Sequence, residues 1–164
     1  FMSTWKLPFT DIETGIPCTE PPYGKLAVID LNANKLLWSQ PIGSMKLLGP
    51  FGLKSGLPVT VGTTVYGGTV ATRGGLIFQV GTMDATMRAV DIRSGETKWS
   101  VELPSTTSST PITYLSAKDG RQYVAIVISN PGYVYPRISA PPADDKGGWV
   151  VAYALDEQPK GRSQ

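Results

Sequence analysis

The chain has 164 residues, enough for one domain or part of a larger one, with no histidine and one cysteine, Cys18. Those counts exclude, within the chain, Ser-His-Asp and Cys-His catalysis, histidine-ligated zinc, CxxCH haem attachment and an intrachain disulfide. With 15 basic and 13 acidic residues the net charge of +2 gives little field to steer nucleic acid, and no apolar run is as long as a membrane span.

Glycine (18) and proline (14) interrupt the chain too often for a helical bundle, while 41% hydrophobic residues still allow a core, so turn-dense β-structure is expected. Residues 1–24 are Pro- and Thr-rich without a period, end in Pro21-Pro22-Tyr23-Gly24, and read as a connector. Two short strands follow, 26–30 and 35–40, around the turn Leu31-Asn32-Ala33-Asn34. Residues 41–75 are glycine-rich, with little regular pattern before a strand at 69–72, as suits a backbone that turns often or approaches something closely. Strands are then expected at 76–80, 86–91 and 96–103, separated by turns at 81–84 and 92–95. In the last of them Trp99, Val101 and Leu103 alternate with Lys98, Ser100 and Glu102, the period of a half-buried strand. Three more strands, 110–115, 122–129 and 148–155, complete an all-β reading, and residues 157–164 read as a tail.

Two of these hairpins repeat. Val28-x-Asp30-x-x-Ala33-Asn34-x-x-x-Trp38 aligns with Ala89-x-Asp91-x-x-Ser94-Gly95-x-x-x-Trp99, with the same aspartate-to-tryptophan separation. The physical roles are readable. Aspartate caps the turn, Asn34 or Gly95 takes a positive φ, and tryptophan fills the space beside a neighbouring sheet. Such hairpins are the units of stacked or radial β-repeats. A third, partial copy runs from Val151 to Asp156 and ends before any tryptophan.

The motif Ala89-x-Asp91-x-x-Ser94-Gly95-x-x-x-Trp99 resembles the tryptophan-docking motif of the pyrroloquinoline quinone (PQQ) dehydrogenases. So do the segments flanking it, in order and spacing: Tyr66-Gly67-Gly68-Thr69-Val70-Ala71-Thr72, Gly81-Thr82-Met83-Asp84, Thr110-Pro111-Ile112-Thr113-Tyr114, Asp119-Gly120-Arg121-Gln122-Tyr123-Val124 and Val151-Ala152-Tyr153-Ala154-Leu155. Ile16-Pro17-Cys18-x-x-Pro21-Pro22-Tyr23-Gly24 extends the likeness to the membrane-bound glucose and quinate dehydrogenase branch, so that it covers roughly residues 14–156. The resemblance implies the carboxy-terminal part of a roughly eight-bladed β-propeller. At the family's blade length residues 25–156 hold about three blades, with docking motifs at 28–38 and 89–99. Because a blade buries its faces only against other blades, this chain is expected to need another chain or chains that supply the rest of the ring.

The implied activity is oxidation of an alcohol, polyol, sugar or quinate-like cyclic polyol by PQQ beside Ca²⁺, with ubiquinone as electron acceptor. The implied place is the periplasm, at the outer face of the cytoplasmic membrane, with anchoring through a partner or a missing segment. In this family the catalytic aspartate and most metal ligands lie upstream of the matching region, so no catalytic residue and no metal ligand is assigned to this chain. Two alternatives stand beside the enzyme: a non-catalytic PQQ-type propeller acting as a scaffold, and part of a quinohaemoprotein alcohol dehydrogenase.

Six cofactor-binding candidates follow from the same likeness. Tyr66 stands where the methanol-dehydrogenase branch has a tryptophan that stacks on PQQ, and Gly67 and Gly68 would let it approach a flat ring. Asp84 matches an aspartate near the pocket of the glucose enzymes. Asn130 and Tyr133 lie in the segment where relatives carry a glycine-rich loop facing the site. There the chain departs from both branches. Pro131 replaces the histidine of the glucose enzymes, which weighs against glucose as substrate, and Tyr133 replaces the tryptophan of the methanol enzymes. Asp30, Asp91, Trp38 and Trp99 are explained by the repeat, and Cys18 reads as a buried small hydrophobe, with an interchain disulfide as the alternative.

Overall fold

The computed structural model describes residues 18–47, 55–128 and 148–155. They form nine strands and, among the described residues, no helix: β1 (Lys25–Asp30), β2 (Lys35–Pro41), β3 (Thr69–Ala71), β4 (Leu76–Gln79), β5 (Thr86–Asp91), β6 (Thr97–Glu102), β7 (Ile112–Leu115), β8 (Gln122–Ile128) and β9 (Trp149–Ala154). All pairing is antiparallel between sequence neighbours, giving three sheets in the orders β1-β2, β3-β4-β5-β6 and β7-β8-β9. Each strand expected from the alternation is present, within the usual drift at the ends.

The repeat is structural in detail. Asp30 Oδ1 accepts the N–H groups of Asn32 (2.9 Å) and Ala33 (3.0 Å), and Asp91 Oδ1 accepts those of Arg93 and Ser94 (2.9 Å each). Asn34 and Gly95 both take positive φ, 49° and 76°. Both hairpins shift register at the same place, between Val28 and Ile29 in the first and between Ala89 and Val90 in the second. That bulge adds the local twist that lets one hairpin lie along the next.

Two different contacts join the three sheets. Between the second and third sheets lies an apolar core of Val80, Met87 and Leu103 against Val124, Ile126 and Ile128, flanked by Phe78, Val101, Trp149, Val151 and Tyr153. Complete burial of each such side chain is worth about 1.5–3 kcal/mol. Between the first and second sheets the ties are polar. The Trp38 indole N–H donates to the Ile92 carbonyl (3.0 Å) and the Gln40 amide donates to the Gly95 carbonyl (2.7 Å). A Cβ at Gly95 would lie 3.1 Å from the Trp38 ring, so the turn's glycine serves both its own positive φ and the docked indole. Trp99, the counterpart of Trp38, packs edge-on against Tyr153 at 5.2 Å and is more exposed than the alternation suggested, because β6 is the edge strand of its sheet.

The outermost sheets leave apolar side chains uncovered: Ile29 and Leu36 on the first, and Ile112 (60% exposed), Val127 and Val150 (76%) on the third. Cys18 is exposed and free, contrary to the buried position expected for it, because it lies in a bend ahead of β1 with no sheet over it.

Substituting Trp38 should separate the indole's two contributions. In chemical denaturation of the intact protein, Trp38→Phe should cost about 1 kcal/mol for the lost N–H donor, and Trp38→Ala roughly 2–4 kcal/mol. A Trp38→Phe variant as stable as the wild type would mean that the Ile92 bond contributes nothing. Acid should act on the turns. The Asp119 carboxylate is held at about 2, first by the Tyr123 hydroxyl, and the Ser94 and Arg93 amides hold Asp91 below its ordinary value. Depressed folded-state values stabilise above the unfolded value of 3.8 and are lost as pH falls through the folded ones. Stability should therefore fall between about pH 4 and pH 2, and Asp119→Asn should flatten that slope.

Candidate functional site

Antiparallel order sorts the connections to two ends of the sheets. The hairpin turns 31–34, 72–75, 92–95 and 116–120 lie at one end, and the connections 42–68, 80–85 and 103–111 lie at the other. Four of the six candidates, Tyr66, Gly67, Gly68 and Asp84, are on this second end. Asn130, Pro131 and Tyr133 fall outside the described residues. Their connection leaves β8 after Ile128 at the same end, where the buried Thr107 hydroxyl donates to the Val127 carbonyl (2.7 Å).

Tyr66-Gly67-Gly68 is threaded between two neighbouring segments. The Tyr66 N–H donates to the Gly81 carbonyl (2.9 Å) and the Gly68 N–H donates to the Ser109 carbonyl (3.2 Å). A Cβ at Gly68 would stand 2.2 Å from Thr110 Oγ1, and one at Gly67 would stand 2.9 Å from the Val80 carbonyl oxygen. Gly81, at φ 83°, would place a Cβ 2.0 Å from the Gly67 nitrogen. The close approach that these glycines permit is thus an approach of the protein's own chain, backbone at Gly67 and Gly81 and the Thr110 side chain at Gly68. Tyr66 itself is 42% exposed.

Asp84 lies behind this segment, 1% exposed. Its Oδ2 accepts the Ser44 N–H (2.8 Å) and the Ser44 hydroxyl (3.0 Å), and its Oδ1 accepts the Thr82 hydroxyl (2.6 Å). Arg88 completes the set with Nη1 on Oδ1 (3.2 Å) and an ion pair from Nη2 to Oδ2. Burial alone would raise this carboxyl, but the Arg88 and Thr82 hydrogen bonds, the Arg88 charge and the Ser44 amide together hold it below the ordinary aspartate value. Asp84 is therefore an ionised, fully hydrogen-bonded carboxylate. Its main partners were not among the candidates. Arg88 sits four positions on, a spacing that carries no message in a turn followed by a strand, and Ser44 is forty residues away and gives no local signal.

Three further hydroxyls bind the same end. Thr63 Oγ1 accepts the Met83 N–H (3.1 Å), Thr106 Oγ1 donates to the Thr82 carbonyl (2.9 Å), and Thr107 reaches β8 as described. Among the described residues no group of three or more Cys, Asp or Glu side chains could hold a metal ion.

Comparison with known proteins agrees with this architecture. The chain is 43% identical over 87% of its length to a probable quinate dehydrogenase (quinone) of Xanthomonas campestris pv. juglandis. It is 38% identical over 87% of its length to the quinate/shikimate dehydrogenase (quinone) of Acinetobacter baylyi, and 39% identical over 92% to the glycerol dehydrogenase large subunit of Gluconobacter thailandicus. It spans only 17–19% of the length of these relatives. Among solved structures, a europium-containing methanol dehydrogenase matches with a TM-score of 0.51 at 26% identity, covering 80% of this chain and 23% of that one. A quinohemoprotein alcohol dehydrogenase from Comamonas testosteroni shares the fold, with a TM-score of 0.55 at 24% identity over 88% of this chain and 18% of that one. The three sheets, the docked tryptophan and the match of residues 4–124 to the PQQ glucose/ethanol/alcohol dehydrogenase β-propeller domain make one conclusion: the chain belongs to that propeller family.

Proposed function

We propose that the chain forms part of the propeller of a PQQ-dependent dehydrogenase that oxidises a polyhydroxy substrate and passes electrons to a quinone. The observation that carries this reading is Tyr66, 42% exposed at the end where the connections between sheets gather, on a backbone fixed by Gly81 and Ser109. A flat quinone fits such a place, since an aromatic ring on a fixed backbone offers it an apolar face at low entropic cost. Tyr66 would hold one face of the cofactor, backed by Gly67 and Gly68, with Asn130 and Tyr133 on the β8–β9 connection as further contacts. When bound, PQQ supplies the two-electron acceptor, and Ca²⁺ beside it polarises the quinone. The Ca²⁺ ligands and the catalytic carboxylate then belong to blades outside the described residues. The exposed Ile112, Val127 and Val150 on one outer sheet, and Ile29 and Leu36 on the other, suit continuation of the ring by further blades.

Polyols, quinate-like cyclic ones among them, are favoured over glucose. The relatives named as quinate dehydrogenases are 43% and 38% identical to the chain and a glycerol dehydrogenase large subunit is 39% identical, against 32% for the quinoprotein glucose dehydrogenase of Escherichia coli. Pro131 in place of the glucose enzymes' histidine points the same way. Among the described residues no helix is long and apolar enough to cross a membrane, and a periplasmic complex anchored through another segment or chain fits the reading.

The test is reconstitution of the intact protein, prepared as apoprotein, with PQQ and Ca²⁺. Dye reduction should appear with quinate and exceed that with glucose, and Tyr66→Ala should weaken PQQ binding about tenfold while leaving the fold intact. Absence of any PQQ uptake by the wild type would overturn the proposal.

A further inference from the structure

We propose that Asp84, clamped by Ser44 and Arg88, is a positioning residue that holds Tyr66 in place for the quinone without touching it. This deepens the functional reading above and rests on it. The carboxylate has nothing left to offer a ligand. Both oxygens accept from protein donors, and the residue is 1% exposed. A buried ion pair of this kind is a poor source of net stability, because desolvation of both charges offsets most of their attraction, whereas its geometry is sharply defined. The defined geometry is carried to Tyr66 by a short path. Thr82, bonded to Asp84 Oδ1, adjoins Gly81, whose carbonyl accepts the Tyr66 N–H, and Thr82 itself bridges Val65.

The clamp also fixes that turn between two sheets. Ser44 follows β2, so its two bonds to Asp84 tie the first sheet to the β4–β5 turn of the second. A parallel route runs from the Ile42 carbonyl to the Thr63 N–H (2.8 Å) and from Thr63 Oγ1 to the Met83 N–H. Residues 81–84 are thereby held from the first sheet, from the 55–65 segment and from Arg88 on β5, and Tyr66 hangs from the middle of that frame. Movement of the Ser44–Asp84 tie would move the tyrosine's backbone.

The experiment uses the intact protein with Ser44→Ala, Asp84→Asn and Arg88→Lys, each made alone and together with Tyr66→Ala, titrated with PQQ as apoprotein. Asp84→Asn and Ser44→Ala should weaken PQQ binding about five- to tenfold when Tyr66 is present and less than about twofold when Tyr66→Ala has already been introduced. Arg88→Lys, which keeps the charge but loses the two-nitrogen contact with Asp84, should weaken PQQ binding with the same dependence on Tyr66. Equal weakening in both backgrounds, or lowered thermal stability with unchanged affinity, would overturn the positioning role. Hydrogen exchange at the Tyr66 amide supplies a readout independent of the cofactor. It should quicken in Ser44→Ala while the Val90 and Ile126 amides keep their protection, and unchanged Tyr66 exchange would also overturn the proposal. If the wild type takes up no PQQ, the functional reading fails, whereas the tie to Tyr66 stands or falls by the exchange result. Ser44→Ala keeps the Asp84–Arg88 pair and so carries the test if Asp84→Asn does not fold.

Discussion

A β-sheet has two faces, and the middle sheet of this protein is covered on one by an apolar core and on the other by polar contacts placed at the two ends of an interface. At one end the Trp38 indole donates to the Ile92 carbonyl, and at the other Ser44 binds the Asp84 carboxylate. Two fixed points determine how one sheet lies on the next, which a uniform apolar face would leave free to slide or rotate. The bulge shared by both hairpins and the Asp-capped turns serve the same purpose, since they present the Ile92 and Gly95 carbonyls where Trp38 and Gln40 can reach them.

The site follows from that arrangement. Antiparallel neighbours leave the long connections at one end and the tight hairpin turns at the other, so Tyr66, the 81–84 turn and the Thr106-Thr107 pair gather from three different connections. Glycine is required there for a local reason. At Gly68 and Gly81 a side chain would collide with Thr110 and with the Gly67 backbone, and the segment could not lie flat against its neighbours. Rigidity at the end of the sheets is thus built from backbone contacts and buried hydroxyls, and Tyr66 is left exposed.

Much of the fold was legible in the residues. The strand at Thr97–Glu102, the aspartates of the two turns, and Asn34 and Gly95 at positive φ follow from local signals, whereas the half-buried alternation expected of that strand does not hold at Trp99. The site was legible only in part. Tyr66 was singled out by its match to a family position and by the two glycines beside it, but the reason for those glycines could not be read, since Thr110 and Val80 come from other segments. Asp84 could be singled out as a turn aspartate, whereas its burial under Ser44 and Arg88 has no sequence signature. Cys18 was misjudged for the same reason: a small sulfur side chain tends toward the interior, yet nothing local says whether a sheet will cover it.

By itself the sequence determined the all-β class, the nine strands, the repeated hairpin and the family, because period-two alternation, turn chemistry and a recurring Asp–Trp spacing act over a few residues and survive any packing. Tertiary structure alone decided which face of each sheet is covered, that Gly67 and Gly81 meet backbone and Gly68 the Thr110 side chain, and that Asp84 is an ionised carboxylate enclosed by donors from two sheets. Burial and hydrogen bonding between residues forty positions apart depend on how sheets stack, and stacking is a property of the assembled chain.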